Sequence, residues 1–187
     1  LEYFETIKCD DYEVFNLDYH NRRISNTIAL NINLQEYIYP PNAQLFRCKV
    51  IYEDSGILSV DFFSYKKRVI KSFKLIIDDN IDYSKKYLHR EELDKLFAKK
   101  NKADEIIIVK DGLVSDTSIA NIAILYENRW ITPKKPLLNG TTRERYLDER
   151  KIFEADISID MLKKASKIAL LNAMIDFDEY EDYSIED

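Results

Sequence analysis

Hydrophobic and polar positions alternate with period two along Leu1 to Lys8 and again along Tyr12 to Leu17, on either side of Asp10-Asp11. That pattern predicts a β-hairpin turning at the two aspartates. From about Asp18 the spacing of Ile24, Ile28 and Ile32 becomes helical, which predicts a helix with Asp18 as its N-cap and Pro40-Pro41 as its stop. Three β-rich segments follow, Leu45 to Tyr52, Ile57 to Tyr65 and Val69 to Ile77, with turns at Asp54-Ser55-Gly56 and Lys66-Lys67-Arg68. The first part of the chain therefore reads as an antiparallel sheet with one helix against it.

Between Asp78 and Ser84 the pattern turns polar and then helical, with Leu93, Leu96 and Phe97 spaced to bury one face. A boundary here divides the chain into a small N-terminal α+β lobe, residues 1–83, and a larger β-rich C-terminal lobe, residues 84–187. The second lobe reads as strand Glu105 to Val109, a Lys110-Asp111-Gly112 turn, strand Ile119 to Tyr126, a Glu127-Asn128-Arg129 turn and strand Trp130 to Thr132. A loop through Pro133 and Pro136 leads to helix Thr141 to Glu149, strand Ile152 to Ile157, helix Ile159 to Lys164 and strand Lys167 to Leu171. No internal repeat is present.

Composition narrows the class. Of 187 residues, 45% are hydrophobic and 33% charged, with only three glycines and four prolines, which excludes long linkers and low-complexity disorder. The net charge of −6 is concentrated at the C-terminus, where Asp176 to Asp187 holds seven acids and no base. That segment reads as a solvated terminus. The remainder carries 28 bases against 27 acids, so a general nucleic-acid-binding surface is not expected. Cys9 and Cys48 lack metal-ligand spacing and read as reduced structural thiols. With only His20 and His89, a histidine-based metal centre is not expected either. No apolar run approaches the roughly 20 residues of a bilayer span, and the first residues do not resemble a signal peptide, so a cytoplasmic protein is expected.

Four features could carry chemistry, and each has an ordinary alternative. In Leu137-Leu138-Asn139-Gly140-Thr141-Thr142-Arg143, a glycine turn and two hydroxyl residues open a predicted helix. Helix-start N–H groups with threonine hydroxyls suit a phosphate, although the same residues could simply cap the helix. Arg23, in His20-Asn21-Arg22-Arg23, could clamp a phosphate or carboxylate, or lie on a solvated helix face. Lys85-Lys86 are surface lysines unless one is desolvated into a nucleophile. Asp116, within Val114-Ser115-Asp116-Thr117-Ser118, could act in chemistry or cap a turn. Together the four are the parts for holding a phosphorylated pyridine aldehyde.

The order of these segments resembles the class IV, fold-type IV pyridoxal-phosphate enzymes: branched-chain aminotransferases, D-amino-acid aminotransferases and aminodeoxychorismate lyases. The strongest stretch runs from Asp104-Glu105-Ile106-Ile107-Ile108-Val109 through Asp111-Gly112-Leu113-Val114-Ser115-Asp116-Thr117-Ser118-Ile119-Ala120-Asn121-Ile122. Trp130-Ile131-Thr132-Pro133 and Leu137 to Arg143 follow in order, with weaker support from Phe4-Glu5-Thr6-Ile7, His20-x-x-Arg23 and Asn172-Ala173-Met174.

The resemblance implies a two-lobed fold of the α+β or α/β class, pyridoxal 5′-phosphate as cofactor, a small-molecule substrate and a homodimer, with the second lobe binding the cofactor. It makes Lys86 the Schiff-base lysine, with Lys85 as rival. Lys86 is preferred because Arg90 then falls where lyase-like members carry an arginine in a Lys-x-x-Asn-Arg pattern, His89 replacing the asparagine. Arg90 becomes a substrate residue by the same match. Asp116 stands in place of the family's glutamate that pairs with the pyridine nitrogen, one methylene shorter. Arg23, Thr141 and Thr142 become phosphate ligands, with Gly140 permitting close backbone approach. The implied reaction is aminodeoxychorismate lysis to 4-aminobenzoate and pyruvate. A branched-chain or D-amino-acid aminotransferase is the alternative, and a non-catalytic family member the third reading.

Overall fold

The computed structural model describes all 187 residues and divides into two compact units. One comprises residues 1–67 with 85–89, the other residues 68–84 with 90–187. The chain therefore passes between units after residues 67, 84 and 89, where the sequence suggested a single boundary at 83/84.

The first unit opens with strand β1 (Tyr3–Asp10), which turns through Asp11 and Tyr12, both left-handed, into the two-residue strand β2 (Glu13–Val14). Helix α1 spans Leu17–Ile28 and is shorter than the isoleucine spacing suggested. Asn16, rather than Asp18, stands at its N-cap, and Asp18 lies in the first turn. Its end is set well before the prolines by Ala29, whose left-handed backbone returns an N–H to Ser25 O. Asn33 then accepts a bond from Gln35 N and caps a separate 3₁₀ turn at Leu34–Glu36. Strands β3 (Phe46–Glu53) and β4 (Gly56–Ser64) complete an antiparallel sheet of order β2-β1-β3-β4. Its inner face, with Ile7, Cys9, Cys48, Val50 and Tyr52 fully buried, packs with Ile24, Ile28 and Leu34. Residues 85–88 lie along the β1 edge: Phe4 N donates to Lys86 O and Leu88 N to Glu2 O, both at 3.0 Å.

The second unit holds a mixed nine-stranded sheet. Strand β5 (Ser72–Ile77), expected in the first antiparallel sheet, instead runs parallel to β6 (Glu105–Lys110), with helix α2 (Glu91–Ala98) in the connection. The physical reason is burial: Phe73 and Leu75 pack with Ile107, Val109, Ile122 and Ile124 in one apolar cluster. Strand β7 (Leu113–Thr117), not foreseen as a strand, pairs with β6 and meets β8 (Asn121–Tyr126) at the single register pair Asp116–Asn121. Strand β9 (Arg129–Pro133), helix α3 (Thr141–Asp148), strand β10 (Phe153–Ala155), helix α4 (Ile159–Lys164) and strand β11 (Lys167–Asn172) follow much as the pattern predicts.

The acidic C-terminus is not a solvated tail. It forms β12 (Asp176–Tyr180) against β11 and β13 (Ser184–Glu186) parallel to β5. Aromatic and aliphatic residues interleave with the acids and give the segment its anchor. Phe177 meets Trp130 edge-on at 4.8 Å, Tyr180 and Tyr183 approach Phe73, and Lys167 pairs with Glu179 and Glu181. No helix is long and apolar enough to cross a membrane.

Candidate functional site

Asp116 is only 5% exposed and points from β7 into the second unit. Its Oδ1 accepts from Asn121 Nδ2 at 2.8 Å and its Oδ2 from Leu138 N at 3.0 Å. Burial pushes its pKa up to about 7, against the smaller opposing pull of the bonds from Leu138 and Asn121 and the charge of Arg143. The site has thus withheld enough hydration to keep a carboxyl group near its midpoint at neutral pH. An acid in that state suits a partner that brings its own positive N–H.

The loop held by Asp116 runs directly into α3. Gly140 is the N-cap, extended at φ −72 and ψ 144, and no side chain caps the helix there. The first N–H groups of a helix lack partners within it and carry its positive end. Thr141, Thr142 and Arg143 are 5%, 4% and 4% exposed, so the helix start is enclosed and lined by two hydroxyls. Arg143 turns away to Pro133 O at 3.0 Å and Glu154 at 2.6 Å. Gly140 is required by closeness: a Cβ there would lie 2.0 Å from Asn121 Oδ1. An uncapped helix start with buried hydroxyls and a buried acid hydrogen-bonded to the same loop is a donor set that fits a phosphorylated pyridine.

Arg90 donates from Nη2 to Ser118 O at 2.6 Å, two residues beyond Asp116, and its Nε is buried and without a hydrogen-bond partner. Ser118 is itself fixed by the fully buried Glu105, which accepts from Ser118 Oγ at 2.6 Å and pairs with Arg68 at 2.9 Å. In contrast, His89 has a side chain 78% exposed.

The other expected residues belong to the first unit. Arg23 grips Glu5 with two nitrogens, and His20 Nδ1 lies 2.6 Å from the same carboxylate. Burial would raise the Glu5 pKa, but the Arg23 charge and the bonds from His20 and Arg23 outweigh it and hold the pKa down at about 2. Burial also lowers the His20 pKa despite Glu5, which keeps the ring neutral at pH 7. Lys85 Nζ donates to Thr27 O at 3.2 Å and sits over the Tyr3 ring, whereas Lys86 Nζ lies 4.4 Å from the centre of the Phe4 ring. The structure thus groups Asp116, Gly140, Thr141 and Thr142 around one loop of the second unit, with Arg90 bonded to Ser118 in the same unit, and places Arg23, Lys85 and Lys86 in the first. Sequence reasoning assigned no role to Glu5, His20 or Asn121. The signal for Glu5 was a charge at an inward position of an alternating strand.

Residues 65–177 match the family model described as amino-transferase class IV. An uncharacterised protein of Haemophilus influenzae is 34% identical over 182 residues, covering 91% of this chain and 96% of that protein. A solved structure from Haemophilus somnus, provisionally described as a 4-amino-4-deoxychorismate lyase, superposes with a TM-score of 0.85 at 33% identity, covering 92% of this chain and 96% of its own. The pyridoxal-phosphate-bound form of a hypothetical aminotransferase from Mycobacterium tuberculosis shares the fold. It has a TM-score of 0.76 at 16% identity, covering 98% of this chain and 81% of its own.

Proposed function

The chain belongs to the amino-transferase class IV family, and on that premise we propose that it is a pyridoxal-phosphate-dependent 4-amino-4-deoxychorismate lyase, yielding 4-aminobenzoate and pyruvate. The observation that carries the cofactor assignment is Asp116: a buried acid with a pKa of about 7, bonded to the loop that opens the uncapped start of α3. The lyase assignment draws on the Haemophilus somnus relative and on the Lys86-to-Arg90 spacing.

Pyridoxal phosphate, when bound, supplies an electron sink. Asp116 holds the proton at the ring nitrogen, its carboxylate oriented by Asn121 and Leu138. Backbone N–H groups and hydroxyls of Thr141 and Thr142 hold the phosphate, with Gly140 leaving the backbone exposed to it. Arg23 is the proposed third phosphate ligand, its guanidinium plane fixed by Glu5. Lys86 Nζ would be the covalent anchor for the cofactor and, as an amine, the base that takes the proton from substrate C4. The electron pair left at C4 forms the ring double bond as the C3–O bond breaks, and the enol of pyruvate departs. Aromatisation to 4-aminobenzoate helps drive the step. Arg90 is the proposed contact to the substrate. The same reading takes the enzyme to be a cytoplasmic homodimer in folate precursor synthesis.

The deciding experiment supplies purified chain and pyridoxal phosphate with aminodeoxychorismate and no oxo acid. Formation of 4-aminobenzoate and pyruvate supports the lyase. Strict dependence on a 2-oxo acid makes it an aminotransferase, and absence of any cofactor absorption band makes it a non-catalytic member.

A further inference from the structure

Asn121 is 5% exposed and forms with Asp116 the single register pair between β7 and β8. Its Nδ2 carries two hydrogens, and both are used: one goes to Asp116 Oδ1 at 2.8 Å, the other to Leu138 O at 2.8 Å. Leu138 N returns a bond to Asp116 Oδ2 at 3.0 Å, so carboxylate, carboxamide and the Leu138 backbone close a ring. On its other side the carboxamide bears on Gly140, where an added Cβ would come within 2.0 Å of Oδ1. One amide therefore sets the direction of the acid, the position of the loop and the approach of the residue that opens α3.

We propose that Asn121 is a positioning residue that couples Asp116 to the helix-start anion cup at Thr141 and Thr142, an inference that rests on the cofactor reading above. The chemistry follows from donor count. Removing the Asn121 donor takes away a bond to the charged form of Asp116, which disfavours ionisation. It also leaves Leu138 O without its side-chain donor, so the loop loses its tie to β8 and is held only through Asp116 of β7. The other charge acting on Asp116 is Arg143, which is held by Pro133 O and Glu154 and stays in place.

The test uses the cofactor-free chain with ¹³C-labelled aspartate, following the Asp116 carboxyl signal against pH, together with the affinity for pyridoxal phosphate. Asn121→Ala should raise the Asp116 midpoint by about one unit and weaken pyridoxal phosphate binding by about tenfold. Gly140→Ala touches no atom of Asp116, yet its Cβ must displace the Asn121 amide. It should shift the Asp116 midpoint in the same direction, and the double variant should be no worse than Asn121→Ala alone. A merely structural asparagine would lower the melting temperature without moving the midpoint, and that result overturns the proposal. If Asn121→Ala does not fold, Gly140→Ala alone decides it. Should the wild-type chain bind no pyridoxal phosphate, the cofactor reading fails separately, while the Gly140→Ala titration still upholds or overturns the link between cup and acid.

Discussion

Arg23 and Glu5 are joined by two parallel hydrogen bonds, Nε to Oε1 at 2.7 Å and Nη2 to Oε2 at 2.5 Å, with Glu5 fully buried between sheet and helix. The pair orients one face of the guanidinium and ties the first strand to α1. Its energetic weight is set by what remains when one partner goes, because an unpaired buried charge costs about 3 to 5 kcal/mol.

Glu5→Gln is therefore expected to lower the unfolding free energy at pH 7 by about 3 kcal/mol. The folded pKa of Glu5 is depressed from 4.5 to about 2, so its contribution is present above 4.5 and lost as pH falls toward 2. The gap between wild type and variant should close across that window. His20, also depressed from 6.5, should begin the acid destabilisation earlier, as pH falls below 6.5. Urea midpoints between pH 2 and 8 measure both, and a gap that stays constant to pH 2 counts against the pairing.

Asp116 gives the opposite sign. Its folded pKa is raised from 3.8 to about 7, so its stability contribution is complete below 3.8 and lost as pH climbs through 7. Relative to wild type, Asp116→Asn should gain about 4 kcal/mol of stability between pH 3 and pH 8 in the cofactor-free chain. The same variant should lose catalysis, since the proposed ring-nitrogen partner is gone. A wild-type-minus-variant difference that is flat with pH would show that Asp116 is already ionised in the folded chain.

Much of this was legible along the sequence, where short-range chemistry decides the outcome. The Asn-Gly-Thr-Thr run marked the start of α3, the Lys-Asp-Gly turn marked the end of β6, and α4 falls at the predicted Ile159 to Lys164. What failed was decided by long-range partners. β5 carries the same apolar alternation in either sheet, and only its parallel pairing with β6 assigns it to the second unit. In β12 the acids masked Phe177 and Tyr180, whose partners Trp130 and Phe73 lie far away in sequence. At the site, residue types announced Asp116 and the threonines. The roles of Glu5 and Asn121 depend on a guanidinium 18 positions away and a backbone carbonyl 17 positions away, which no spacing rule connects.

The enclosed threonines predict a ligand-selective loss. Thr141→Val and Thr142→Val keep volume and remove one hydroxyl each, so a charge-assisted bond worth about 1.5 to 3 kcal/mol disappears. Each should weaken pyridoxal 5′-phosphate binding by about ten- to a hundredfold while leaving pyridoxal, which lacks the phosphate, bound as in wild type. Titration of the cofactor band with both compounds makes the comparison. Equal losses for the two would place the phosphate elsewhere.

Lys85 and Lys86 are neighbours that project to different surroundings in the first unit. The Lys85 ammonium is spent on Thr27 O and the Tyr3 ring, and the Lys86 ammonium lies 4.4 Å from the centre of the Phe4 ring. Lys86 is also the lysine whose spacing to Arg90 matches the lyase-like Lys-x-x-Asn-Arg pattern. Borohydride reduction of the chain with pyridoxal phosphate should therefore label the peptide at Lys86. Lys86→Ala should abolish the cofactor-linked absorption band and slow turnover about a thousandfold, the scale of a lost acid–base group. Lys85→Ala should keep the band, with at most a loss of about 1 kcal/mol from the broken hydrogen bond to α1. A label found on Lys85, with the band intact in Lys86→Ala, would transfer the catalytic assignment to Lys85.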